Sequence, residues 1–176
     1  KISRAGASAL AEVLGRNQGP IKLYNCEIDN LLLADGLRGK SRLKSLKLRI
    51  SSNLEVGIRE VLTTAGALKE NKGLVELMFH CFSWNDETWA AICTPLDTHP
   101  TLEVLNFLKM FDHTSITLAV ITSRIQALLN MLKVNTSIHT IRLDNRYSQH
   151  ELYRGSVIPY LVTNRLRPRL LAIQKS

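Results

Sequence analysis

The chain has 176 residues, 45% of them hydrophobic and 22% charged, which is enough apolar material for one domain with a sizeable core. That balance excludes a disordered chain, and the longest apolar run, Ile116 to Ile121, is too short for a spanning helix and carries Thr117. The formal charge of +8 favours acidic partners, whether nucleic acid, an anionic membrane surface or an acidic protein.

Ser3 to Arg16 is predicted to be a helix, with Ser3 as N-cap and Leu10, Val13 and Leu14 on its buried side. Gly15, Asn17, Gly19 and Pro20 end it, and a strand follows at Ile21 to Tyr24, with Cys26 and Ile28 also inward. Asp29 to Leu37 is apolar around much of its circumference, as a helix packed between neighbours would be, and Gly39 stops it. The second strand is Leu43 to Arg49. Ser52 and Glu55 have the form of a capping box before a helix over Leu54 to Glu70, with Ile58, Val61, Leu62, Ala65 and Leu68 inward.

The chain then turns through Asn71, Lys72 and Gly73 into a third strand, Leu74 to His80. Asp86 and Glu87 suit the positive end of a helix that packs Trp89, Ile92 and Leu96, with Pro95 keeping it short or irregular. Leu102 to Leu108 is the fourth strand. A long helix is expected from about Thr114 to Lys133, with Ile121, Ile125, Leu128, Leu129 and Leu132 apolar, and the last strand is Ile138 to Leu143. Beyond it, Glu151 to Leu161 and Asn164 to Gln174 read as helices broken near Pro159 and Pro168.

The strands share the spacing L-x-x-L-x-L, as Leu43, Leu46, Leu48, as Leu74, Leu77, Phe79, as Leu102, Leu105, Phe107 and as Ile138, Ile141, Leu143, with a degenerate copy at Gln18, Ile21, Leu23. Recurrence of one strand-and-helix unit is the signature of a repeat architecture. On these motifs nearly the whole chain resembles a leucine-rich-repeat protein of the ribonuclease-inhibitor type. The resemblance implies an α/β solenoid, a curved right-handed βα superhelix with its parallel sheet on the concave face and helices on the convex face. About five βα repeats would occupy 1–146 and a helical cap 147–176, since the last strand of a stack needs covering. The intervals between first motif positions, 25, 31, 28 and 36 residues, place insertions on the helical side. A chain opening on Lys1 with a bare first helix is expected to be a piece of a longer array.

Residues between the core positions of each strand point away from the core. They form two rows, Lys22, Lys47, Met78, Asn106, Arg142 and Tyr24, Arg49, His80, Leu108, Asp144, basic at the ends and partly apolar in the middle. Apolar residues flanked by charge mark an interface, and the resemblance implies partner binding there. A second basic concentration, Arg165, Arg167 and Arg169, offers guanidinium groups to an anion. The expected function is therefore a non-catalytic protein-interaction module or scaffold subunit, with its protein partner or a larger assembly met on the concave face. Nucleic-acid or ribonucleoprotein association through the basic surface is the alternative, and the resemblance also implies regulatory or substrate-recognition subunits for a GTPase or a ubiquitin ligase.

Chemistry is not expected. Ala34 to Ser41 satisfies a relaxed phosphate-loop pattern, but a helix precedes it and a strand follows, the reverse of what that loop requires. His80, Cys81, Asp86 and Glu87 match no zinc spacing, so no metal and no cofactor is expected. Cys26, Cys81 and Cys93 are odd in number and widely spaced, which argues for free thiols in a reducing, intracellular compartment, most simply the cytoplasm. Asn135, Thr136 and Ser137 form a glycosylation sequon at a turn and are expected to be unmodified.

Overall fold

The computed structural model describes residues 6, 9, 12, 13, 16, 21–22, 44–49, 54–80, 86–108 and 117–173, with the backbone alone at 21–22, 49, 54–60, 80, 108 and 169. The helix predicted over 29–37, the phosphate-loop pattern at 34–41, and Tyr24, Cys26 and Cys81 lie outside the described residues.

The alternation of apolar residues at Leu46 and Leu48, Leu77 and Phe79, and Leu105 and Phe107 lets short extended segments bury one face while pairing edge to edge. Five strands result, β1 (Ile21–Lys22), β2 (Ser45–Arg49), β3 (Glu76–His80), β4 (Val104–Leu108) and β5 (Thr140–Arg142). They form one parallel sheet in sequence order. Parallel neighbours need crossovers, and three are α1 (Leu54–Glu70), α2 (Asp86–Leu96) and α3 (Leu118–Val134). Helix α1 packs on α2 and α2 on α3, so the helices form a layer against one side of the sheet. The core lies between the layers, where Leu46, Leu77, Leu105, Leu68, Leu96 and Ile125 are fully buried. Burying a side chain of this size contributes roughly 1.5–3 kcal/mol.

Two positions expected inward face solvent. Leu62 is 42% exposed and Val13 50%. In α1 the buried set is Val61, Thr64, Ala65, Ala67 and Leu68, and Leu62 falls off that stripe. Helix α3 begins at Leu118 rather than near Thr114, because the Thr117 side chain accepts a hydrogen bond from the Val120 amide at 3.3 Å and caps it there. Pro95 stands inside α2, as expected in a helix of only 11 residues.

The leucine-rich-repeat solenoid is corrected by this architecture. The described residues build a small α/β domain on one short parallel sheet, whose outermost strands have only two and three residues. The crossover helices have 17, 11 and 17 residues, and the sequence intervals between strands are likewise unequal. A local strand motif dictates inward and outward positions within a strand but not the shape of the whole, and the units here are not equal copies.

Buried polar side chains shape the turns that feed the strands. Asn71 is 1% exposed, and its Oδ1 accepts from the amides of Gly73 and Leu74, both at 3.0 Å. Asn135 repeats this before β5, accepting from Ser137 at 2.8 Å and Ile138 at 2.9 Å. Its Nδ2 donates to the carbonyls of Leu96 at 2.6 Å and His99 at 3.1 Å in the preceding turn. The sequon amide is thus fully engaged inside the protein. Between them His99 takes the equivalent place, with Nδ1 accepting from Leu102 N at 3.2 Å. Its Nε2 is buried without a partner among the described residues, and burial pushes the His99 pKa down. The neutral tautomer protonated at Nε2 meets that arrangement.

An aromatic line crosses from sheet to helices. Phe79 stacks on Phe107 at 5.8 Å between centroids, Phe107 meets Trp89 at 4.7 Å, and Trp89 stacks on Tyr147 at 6.1 Å. Arg124, 4% exposed, ties it down. Its carbonyl accepts from Trp89 Nε1 at 2.8 Å, its Nη1 donates to Tyr147 Oη at 2.7 Å, and its Nε meets Asp86 Oδ1 at 3.2 Å. Cys93 is a buried free thiol whose pKa is pushed up to about 12 by loss of hydration, so it is inert in the folded chain.

The C-terminal segment comprises α4 (Asn145–Ser148), a π-helical turn at Tyr153–Val157, and α5 (Ile158–Ile173). The regular helix is interrupted by the π turn just before Pro159, near one expected break, whereas no break occurs at Pro168, contrary to the sequence expectation. Pro159 follows the π-helical turn Tyr153–Val157 with only Ile158 between, a local irregularity beside a residue that has no N–H to donate. Pro168 is carried inside a helix that buries Val157 (in the preceding turn), Leu161 and Asn164. Asn164 Nδ2 donates to the carbonyls of Asn135 at 3.1 Å and Ile138 at 2.8 Å, and Tyr153 Oη donates to Ile141 O at 2.9 Å.

Replacing Asn135 by alanine leaves the His99 carbonyl and the Ser137 and Ile138 amides unmet and leaves the Leu96 carbonyl only its 3.3 Å bond from the His99 amide, so Asn135→Ala should lower the unfolding free energy by about 2–4 kcal/mol, read from urea titration. His99 has its own signature. The unfolded chain binds a proton near pH 6.5 while the folded one resists, so its contribution to stability is complete above about 6.5 and is lost as pH falls toward the lower folded value. The fall in thermal midpoint between pH 7.5 and pH 5 should be smaller in His99→Asn than in the parent, and an equal fall would contradict this account.

Candidate functional site

Strand register assembles the face opposite the core. Lys22 pairs with Lys47, Lys47 with Met78, Met78 with Asn106 and Asn106 with Arg142. The first outward row expected from the alternation is therefore continuous across the sheet. In the next row Arg49, His80 and Leu108 are in register. Lys47 and Met78 are half-buried and Arg142 is exposed.

Two expected face residues behave differently. Asn106 is 0% exposed, because its Nδ2 turns onto the Glu76 carboxylate, donating to Oε1 at 3.1 Å. Its Oδ1 is buried without a partner among the described residues. Asp144 belongs to no strand, since β5 ends at Arg142. It caps α4 instead, its carboxylate accepting from the Arg146 amide at 3.2 Å.

A third row was missed by sequence reasoning. Ser45, Glu76, Val104 and Thr140 are in register at the start of the strands. Glu76 is its centre, with Ser45 Oγ donating to Oε2 at 2.9 Å while Asn106 holds Oε1. Extending the period-two alternation one step before each core leucine would have found the row, although not the clustering around one carboxylate. The face thus offers a fixed acid among Lys47, Met78 and Arg142, suited to a surface of mixed charge and apolar character.

Arg165 and Arg167 lie exposed on α5. Arg165 Nη2 reaches the His139 carbonyl and Thr140 Oγ1 only at 3.5 Å. For Arg169 the backbone alone is described. Among the described residues no group of three His, Cys, Asp or Glu side chains could hold a metal ion. Nor is any described helix long and apolar enough to cross a membrane.

Fold and face together define a small α/β domain built on a parallel sheet with one polar, mixed-charge side. No family model matches the chain, and no curated protein matches it. Among solved structures it is similar to one titled "Leiomodin-1 Actin-Binding Site 2 (ABS2)", with 17% identity, a TM-score of 0.68, and coverage of 98% of this chain and 96% of that one. At that identity the likeness concerns the fold alone. It lends no support to the solenoid expected from the motifs.

Removing the carboxylate at the centre of the face strands the buried Asn106 amide. Glu76→Ala is expected to cost about 1–3 kcal/mol in denaturant unfolding, whereas Glu76→Gln, which keeps an acceptor oxygen, should cost less than half as much.

Proposed function

We propose that this chain is a non-catalytic interaction module that binds a protein partner through the outer face of its parallel sheet. The observation that carries the reading is the register-aligned row of Lys47, Met78 and Arg142, with Glu76 held beside it by the buried Asn106. A row of this kind is rigid, because every position is set by backbone pairing, and rigidity lowers the entropic cost of association. Two cations around an apolar and an acidic centre supply both steering and a contact core. The fold-level neighbour is by its title an actin-binding site, which supports a protein as partner. Cys93 as a buried free thiol fits work in a reducing compartment.

Two measurements test the proposal. Affinity capture from native extract compares the parent with a variant carrying Lys47→Glu, Met78→Glu and Arg142→Glu, and co-sedimentation with actin filaments is run on the same pair. A protein retained by the parent and reduced at least about tenfold by the variant is the expected result. Equal capture by both chains would remove the sheet face as the working surface.

A further inference from the structure

Where the strands begin, the helix-to-strand turns and α5 enclose a groove of about 620 Å³. It is separate from the outward row of the sheet. Arg165 and Arg167 stand on the α5 side, while Lys44 and His139 come from the strand starts. Among the described residues of the lining the one carboxylate is Glu103, and its Oε2 already lies 3.4 Å from His139 Nε2. Arg167 makes no hydrogen bond or ion pair among the described residues, and the Arg165 contacts are long. The lining also includes apolar surface from Pro100 and Leu171, the latter 50% exposed.

We infer that this groove binds an extended acidic peptide segment of a partner protein. Its carboxylates pair with Lys44, Arg165 and Arg167, and its apolar side chains lie on Pro100 and Leu171. Charge complementarity selects the sign, because Lys44, Arg165 and Arg167 face the one described carboxylate, Glu103, which already lies against His139. Guanidinium groups pair bidentately with carboxylates. An extended peptide presents alternate side chains to opposite sides, which suits a trough whose lining offers both cations and apolar surface. A small inorganic anion would leave the apolar part unused. A nucleic-acid strand would lack the aromatic stacking surface such a groove requires. The proposal does not depend on the sheet-face reading.

The test uses the full chain and a fluorescein-labelled peptide of about ten residues alternating Glu and Leu, followed by fluorescence polarisation. Saturable binding should weaken about tenfold or more when Arg165→Glu and Arg167→Glu are combined. It should weaken comparably in Thr136→Trp, which obstructs the groove without changing charge, and should fall steeply with salt. Arg146→Glu with Arg154→Glu, the same charge change on exposed residues outside the groove lining, should leave affinity within about twofold. Circular dichroism and the unfolding midpoint verify each variant, with Arg165→Gln and Arg167→Gln replacing the glutamates if that variant fails to fold. Absence of peptide binding overturns the proposal. So does equal weakening in the variant carrying Arg146→Glu and Arg154→Glu, or full affinity in Thr136→Trp. Capture of phosphatidylserine vesicles at concentrations where the peptide does not bind would assign the cations to a membrane surface instead.

Discussion

The structure rests on buried amide side chains that convert the ends of helices into the beginnings of strands. A turn between two packed layers carries backbone groups that neither layer can satisfy, and leaving them unmet would cost more than the turn could repay. Asn71 and Asn135 solve this with one side chain each, binding two amides of their own turn, and Asn135 also reaches the carbonyls of the turn before it. Each strand therefore enters the sheet at a fixed height relative to its neighbour. That height is the register, and the register aligns Lys47, Met78, Asn106 and Arg142 across four strands.

Much of this was legible in the sequence, for a local reason. Alternation at Leu46 and Leu48 or Leu77 and Phe79 reports which side of a strand is buried, and the described strands obey it. Helices α1 to α3 declared themselves by spacing, and α2 also by the acids of its first turn, whereas the Thr117 cap of α3 was not foreseen. What remained hidden depends on partners distant in sequence. Asn106 looks like any outward polar residue until the carboxylate of Glu76, thirty positions earlier, is seen to fold its amide down. Asp144 continues an alternation that the strand itself has already abandoned. Pro168 reads as a break, yet packing of Leu161 and Asn164 carries the helix through it. The solenoid expectation failed at a larger scale, since a motif of six residues says nothing about how equal its repetitions are.

A second level of organisation is the aromatic line from Phe79 through Phe107 and Trp89 to Tyr147. It couples the sheet to the C-terminal segment through Arg124, whose buried guanidinium bonds Tyr147 Oη while its carbonyl holds the Trp89 indole. Changes on the helical side would therefore be felt at β5, and through β5 at Arg142. The outer face and the groove beside α5 share this support while presenting different chemistry: one mixed in charge, the other cationic.

The carbonyls of β5 and its approach are already occupied. Asn164 bonds Ile138, Tyr153 bonds Ile141, and Arg165 approaches His139. An exposed edge strand is a template on which other chains can extend a sheet, and such edges seed aggregation. Here side chains from the C-terminal helices fill acceptor positions that an incoming strand would need, so this end of the sheet is closed to strand addition.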